Sequence, residues 1–258
     1  ADIIVNGWNP PYPQWETHVP AMTERVIAAA EAHDATVIVP GNVYVFGSEA
    51  PDVFSETTPH RATNTLGRVR RDMEAAYRAS RAQVILLRAG DFIDTEPSGN
   101  WFDLVITAKV TKGTFTAPGD PDAAHAWAYL PDLARVAVLL AERRHMLASF
   151  EDIPFEGYTM SLNELHRHCE DVLDRALEQR DFGWLTIRAA GLFWPMGRHL
   201  AEMRYLWSKP HRLDGTRLAQ LLPGFRPTDP VQALRVALGT EVHPNKAVPG
   251  RVEHIAAE

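Results

Sequence analysis

A single cysteine, Cys169, is the whole thiol content of these 258 residues. One thiol closes no intrachain disulfide and builds no thiolate metal cluster. The composition therefore fits a reducing cytoplasm, and Cys169 reads as a small buried side chain. Long apolar runs are missing as well: nothing approaches the roughly 20 residues that span a bilayer, and no basic segment precedes a hydrophobic one at the start. Neither export nor membrane insertion is expected. Blocks of like charge are also absent. The formal charge of −7 is spread over interspersed acids and bases, which gives no long-range pull toward phosphate backbones or anionic lipid. Nucleic acid and membrane are thus not expected as partners. The sequence holds no internal repeat, no low-complexity tract and no G-x-G-x-x-G or related glycine-rich loop.

What is present, with 45% hydrophobic residues, suffices for one substantial core, or one core and a small lobe. Ala1–Asn6 reads at once as a buried parallel strand, as if the chain began inside a domain. Past the loop Gly7–Gln14, the residues Val19, Met22, Val26, Ile27 and Ala30 share one helical face, with Thr17 as a candidate cap. Ala35–Val39 is a β-branched run too short for a helix, and strand, helix and strand make one βαβ unit. A helix over Asn64–Ser80 and a strand over Gln83–Leu87 extend the alternation, which predicts a parallel sheet. The spacing of Leu104, Val105, Ala108 and Lys109 predicts a helix within 102–112. Strands follow at Thr114–Ala117 and Ala126–Leu130, and Pro131 opens another helix. Beyond residue 145 the rhythm changes. Ser161-Leu162-Asn163-Glu164 is a capping box at the head of a helix running to about Gln179, before a strand at Trp184–Ile187 and three short helical segments.

Three constellations invite chemistry. The loop Gly7-Trp8-Asn9-Pro10-Pro11-Tyr12-Pro13-Gln14-Trp15 follows a strand's C-terminal end, where open α/β sheets bind ligands. Its aromatics could wall a base or sugar, or simply pack on the C-terminal part of the chain around a proline-fixed turn. His166 and Glu170, beside His168 and Cys169, stand four apart on a helix but lack a second ligand cluster, so no metal is expected and a solvated helix face is the plainer reading. Arg198, His199, Glu202, Arg204 and Tyr205 fall on a helix of the C-terminal part, where Arg198 or Arg204 could pair with a phosphate or carboxylate.

Several stretches carry a resemblance. Val37–Gly47, with Val45-Phe46-Gly47, is similar to a serine-bearing strand closed by Val-Tyr-Gly. Thr65-Leu66-Gly67-Arg68-Val69-Arg70 is similar to a Tyr-x-x-x-Lys helix, and Leu86–Phe92 to an "LRxxxxxG" strand and loop. Tyr129-Leu130-Pro131-Asp132-Leu133-Ala134 is similar to an "HVDDVA" helix entry, and Leu213–Thr228 to an "LGWxPxT" tail. Together these resemble the extended short-chain dehydrogenases/reductases, the group of NAD-dependent epimerases and dehydratases. The resemblance implies a Rossmann-type nucleotide-binding core over 1–145, N-terminally incomplete, with 146–258 mainly a small α+β substrate lobe packed on that core. It also implies that the first strand here matches that family's fourth. On ~30 residues per βαβ unit, roughly 60 to 90 residues would precede it, so a fragment of a longer polypeptide is expected.

In that family a serine, a tyrosine and a lysine run the chemistry, and the resemblance puts Asn42, Leu66 and Arg70 in their places. Leucine has no proton to give, so a ketone/alcohol reaction by the usual triad is not expected. Asn42 could orient a carbonyl, Arg70 could hold a ribose hydroxyl, and Tyr44 is a candidate proton donor if the strand runs far enough to put it beside Asn42. Asp132 reads as structural. The implied cofactor is NAD or NADP, held by Gly7, Trp8, Asn9, Arg70, Ala89 and Gly90. The implied ligand is a small polar or nucleotide-linked substrate met by Tyr12, Trp15, Arg198 and Tyr205. A homodimer through the helices 17–33 and 64–80 is implied too. The competing expectations are a non-catalytic dinucleotide-binding regulator and a protein that uses the scaffold only for protein contacts.

Overall fold

The computed structural model describes residues 1–241; the end of the expected lobe, 242–258, lies outside them. Four parallel strands form the main sheet in the order β1 (Ile3–Val5), β2 (Thr36–Gly41), β4 (Val84–Arg88) and β8 (Phe150–Pro154). The α/β parallel-sheet class expected from the alternation is the one found. Side chains alternate across the strands, so Val37, Val39, Val84 and Leu86 face one way, onto α1 (Trp15–His33) and α2 (Thr65–Ala79). Ile38, Ile85, Leu87 and Ile153 face the other way, onto Leu133, Val136 and Leu140 of α3 (Leu130–Glu142). Thr17 is no cap: it lies inside α1, where its hydroxyl donates to the Gln14 carbonyl at 3.1 Å.

A second, three-stranded sheet joins β5 (Asp91–Ile93), β7 (His125–Tyr129) and the antiparallel β9 (Tyr158–Met160). Two short parallel pairs complete the strands: β3 (Val53–Phe54) with β11 (Arg212–Leu213), and β6 (Thr114–Ala117) with β10 (Glu178–Asp181). Around β7 gathers another core, built from Phe115, Trp127, Trp184 and Trp207 with Leu165 of α4 (Leu162–Leu173) and Leu234 of α8 (Pro230–Ala237). The capping box at the head of α4 forms in full, Ser161 Oγ accepting from the Glu164 amide and Glu164 Oε2 from the Ser161 amide.

Three expectations need correction. The stretch 102–112 is not one helix but a π-helical turn, Phe102–Ile106, and a 3₁₀ turn, Val110–Lys112. Its buried residues are Phe102, Ile106 and Val110, while Leu104 is exposed, so the face read from the letters points outward. Trp184–Ile187 is not a strand; it opens α5 (Trp184–Ala190), which buries Trp184 and half-buries Ile187 one helical turn apart. The strand in this region is the polar β10, and α4 accordingly ends at Leu173 rather than near Gln179. Finally β8, which falls within the stretch expected to form the lobe, is a buried strand of the main sheet hidden by its letters Glu151, Asp152 and Pro154.

Two motifs from opposite ends of the resemblance meet in space. Asp132, buried in the first turn of α3, accepts the Thr228 amide at 2.6 Å and the Thr228 hydroxyl at 2.8 Å. The Thr228 carbonyl in turn accepts from Tyr158 Oη at 2.8 Å.

Candidate functional site

Open parallel sheets place ligand groups beyond the carboxyl ends of their strands, and the polar side chains collect there in this chain. After β2 the backbone leaves the strand at Gly41 and turns through 43–46, with the Phe46 amide donating to the Val43 carbonyl. Strand alternation therefore does not relate Asn42 to Tyr44, contrary to the condition set for Tyr44 as a donor. Asn42 closes its own turn instead, its Oδ1 accepting the Tyr44 amide at 3.0 Å. Its carbonyl accepts from Arg88 Nη1 at 2.5 Å. Leu66, which the resemblance sets at the tyrosine's place, is fully buried in the main core.

The Tyr44 hydroxyl lies 2.8 Å from that of Tyr12. Burial, with Tyr12 and Asp91 adding to it, pushes the Tyr44 phenol well above its usual range, and burial also raises Tyr12. Both stay protonated near neutrality, so the pair offers hydrogen bonds rather than a phenolate. Trp15 stacks on Tyr44 with ring centroids 6.2 Å apart, donates its indole N–H to the Pro10 carbonyl and is 1% exposed. It therefore lies behind the aromatic loop rather than on a ligand-facing wall. Trp8, 44% exposed, remains available.

Of the residues assigned to a cofactor, Asn9 and Arg70 are brought together: Arg70 Nη2 donates to Asn9 Oδ1 at 3.1 Å, with its guanidinium 4.4 Å from the Trp15 ring centroid. Burial lowers the Arg70 pKa, and its Nε is buried without a hydrogen-bond partner. Gly7 is open, with no heavy atom within 4 Å of where a Cβ would stand. Ala89 and Gly90 belong to the packing between the two sheets; the Ala89 amide donates to the Gly41 carbonyl, and a Cβ on Gly90 would stand 2.1 Å from the Ala126 oxygen. Arg198 is exposed on α6 (Pro195–Glu202). Tyr205 is half-buried against the main core, with a hydroxyl that has no hydrogen-bond partner and a pKa raised by burial to about 12.

Sequence reading missed two groups. Asp91, at the head of β5, is 2.7 Å through Oδ2 from Nε2 of buried His125. His125 stacks flat on Trp207 at 4.4 Å and meets His211 edge-on at 4.5 Å. The second is the fully buried Arg88, which donates to both oxygens of Glu74 and of Asp152. With His60 these carboxylates could converge on a metal ion among the described residues, but the guanidinium already satisfies them at 2.6 and 2.8 Å. His166 and Glu170 are occupied as well, both bonding the Leu177 backbone. Burial raises the neighbouring Cys169 thiol to about 12.

No protein-family model matches the chain, and no curated protein matches it in sequence. Solved structures do match. An L-threonine dehydrogenase from Phytophthora infestans superposes with a TM-score of 0.68 at 15% identity, over 93% of this chain and 78% of that one. A GalE-like L-threonine dehydrogenase from Cupriavidus necator gives 0.70 at 14% identity, over 93% and 84%. A UDP-glucuronic acid 4-epimerase from Bacillus cereus, in complex with NAD, gives 0.64 at 14% identity, over 91% and 72%. The fold is thus that of the extended short-chain dehydrogenases/reductases, as the motifs implied. Among its bearers are these sugar-nucleotide epimerases and threonine dehydrogenases, to which the chain is similar in structure.

Proposed function

We propose that this chain is an atypical epimerase/dehydratase-like member of the extended short-chain dehydrogenases/reductases. It would bind NAD or NADP and act on a small polar or nucleotide-linked substrate without the Ser-Tyr-Lys triad. The observation that carries this reading is Arg70, a half-buried guanidinium that keeps a positive charge at the lysine's place and has a buried, unpartnered Nε. With Asn9 it would hold the hydroxyls of the nicotinamide ribose; the nicotinamide supplies hydride chemistry when bound. The chain has no glycine-rich loop of that family's kind, so the proposal for these residues concerns the ribose end of the cofactor. Asn42 would present its Nδ2 to a substrate oxygen, and the Tyr12–Tyr44 pair would donate a hydrogen bond beside it.

A ligand that binds only the folded state raises the melting temperature. NADH or NADPH is therefore expected to raise that of the wild type and to lose most of the effect in Arg70→Met, each read against its own apo protein. No shift in the wild type with either nucleotide would overturn the reading. The second reading, a dinucleotide-binding regulator without turnover, is favoured by Leu66 and by the mutual engagement of the Tyr12 and Tyr44 hydroxyls. A Tyr44→Phe variant that turns over a panel of nucleotide sugars as the wild type does would remove Tyr44 from the chemistry.

The same proposal pairs α1 and α2 with their copies across a two-fold axis into a four-helix bundle. In support, a groove of about 480 Å³ between them is lined by Pro20, Thr23, Val69 and Met73 among others. Sedimentation velocity is expected to show a dimer, and a monomer at micromolar concentration would contradict it.

A further inference from the structure

The turn that joins α5 to α6 presents its largest apolar side chains to solvent. Leu185 and Leu192 are each 79% exposed, Phe193 is 92% exposed and Trp194 44%. Leu185 and Ala189, four apart on α5, are exposed, and Leu192 follows in the turn beyond it, while the buried Trp184 roots the helix by donating its indole N–H to the Pro118 carbonyl. The tip is built rather than loose. The Gly191 amide donates to the Ile187 carbonyl, and the Phe193 and Trp194 amides both donate to that of Ala190, at 2.8 to 2.9 Å. The Trp194 ring lies against Gly197, where a Cβ would meet it at 2.7 Å.

Charge says what such a tip would meet. Between Asp181 and Glu202 the chain has no acidic residue, while Arg188 and Arg198 are both exposed beside the apolar tip. The net negative charge of the whole chain is therefore carried outside this segment, whose own charged side chains are cationic. Exposed Leu, Phe and Trp flanked by arginine is the combination that seats in the headgroup region of an anionic bilayer: the rings enter the interface and the guanidinium groups stay with the lipid phosphates. No helix among the described residues is long and apolar enough to cross a membrane, so the contact would be peripheral.

We propose that the α5–α6 turn, through Leu192, Phe193, Trp194, Arg188 and Arg198, is a docking site for an anionic membrane surface. The expectation from whole-chain charge is thereby reversed locally, and the proposal does not depend on the cofactor reading. The test is co-sedimentation with phosphatidylcholine vesicles, with and without about one-third phosphatidylserine. The wild type is expected to bind the anionic vesicles about tenfold more strongly than the neutral ones, and less so at high salt. Phe193→Ser, and separately the pair Arg188→Glu and Arg198→Glu, should each lose about that factor. Val138→Ser, an exposed apolar site on α3, should lose nothing. All these positions are exposed, so unchanged melting temperatures will verify folding. Absent binding to anionic vesicles, or equal binding to neutral ones, would overturn the proposal. So would a concentration-dependent self-association abolished by Phe193→Ser, which would make a second copy the occupant.

Discussion

Replacing Arg88 with methionine is expected to destabilise the fold by about 3–5 kcal/mol, read by chemical denaturation. Arg88 closes β4 with no exposed surface, between Glu74 of α2 and Asp152 of β8, themselves 2% and 6% exposed. Its five donors reach four carboxylate oxygens and the Asn42 carbonyl, so one guanidinium ties the helix, the edge strand β8 and the turn of the candidate site. Burial, with Asp152 adding to it, raises the Glu74 carboxyl and opposes its ionisation, while Arg88 pulls the other way. Without the guanidinium, two carboxylates face each other in a dry site and must take up protons or draw in water. The triple variant Arg88→Met, Glu74→Gln, Asp152→Asn removes all three charges and is expected to recover part of the loss, because a buried pair costs most when only one partner is deleted. Equal loss in the single and triple variants would show that packing, not charge, is what Arg88 contributes.

Gly90→Ala is the second large effect, and it separates two roles for one residue. By resemblance Gly90 touches a nicotinamide; by geometry it is where β4 passes into β5 against β7. A Cβ there would stand 2.1 Å from the Ala126 oxygen and 2.5 Å from its carbonyl carbon, and backbone cannot swing aside as a flexible side chain would. The expected cost is about 3 kcal/mol, or a fall of roughly 6–12 °C in melting temperature for a chain of this size. It should appear in the protein without any ligand. Gly7→Ala, whose Cβ would meet nothing within 4 Å, should leave the melting temperature unchanged. If Gly90→Ala melts like the wild type and only weakens nucleotide binding, the packing role is wrong and the ligand role stands.

The difference between these two glycines marks how far letters go. Local periodicity sets local structure, so the alternation of β1, α1, β2, α2 and β4, the capping box at Ser161 and the motif order that implied this fold are all legible in the letters. The resemblance also sets Asn42, Leu66 and Arg70 at the places of the usual triad, an alignment on which the proposed function rests. What lay beyond reach depends on partners far along the chain. β8 reads as polar because Glu151 and Asp152 make sense in a buried strand only beside Arg217 and Arg88, each more than sixty residues away. Whether Trp-Leu-Thr-Ile at 184–187 becomes strand or helix was settled by what Trp184 could bury against, not by its β-favouring letters. The Tyr12–Tyr44 and Asp91–His125 contacts join residues 32 and 34 apart with no spacing rule between them. These follow from the packed chain, because burial and hydrogen bonding are settled by which chain segments meet, and a sequence pattern reports only its neighbours.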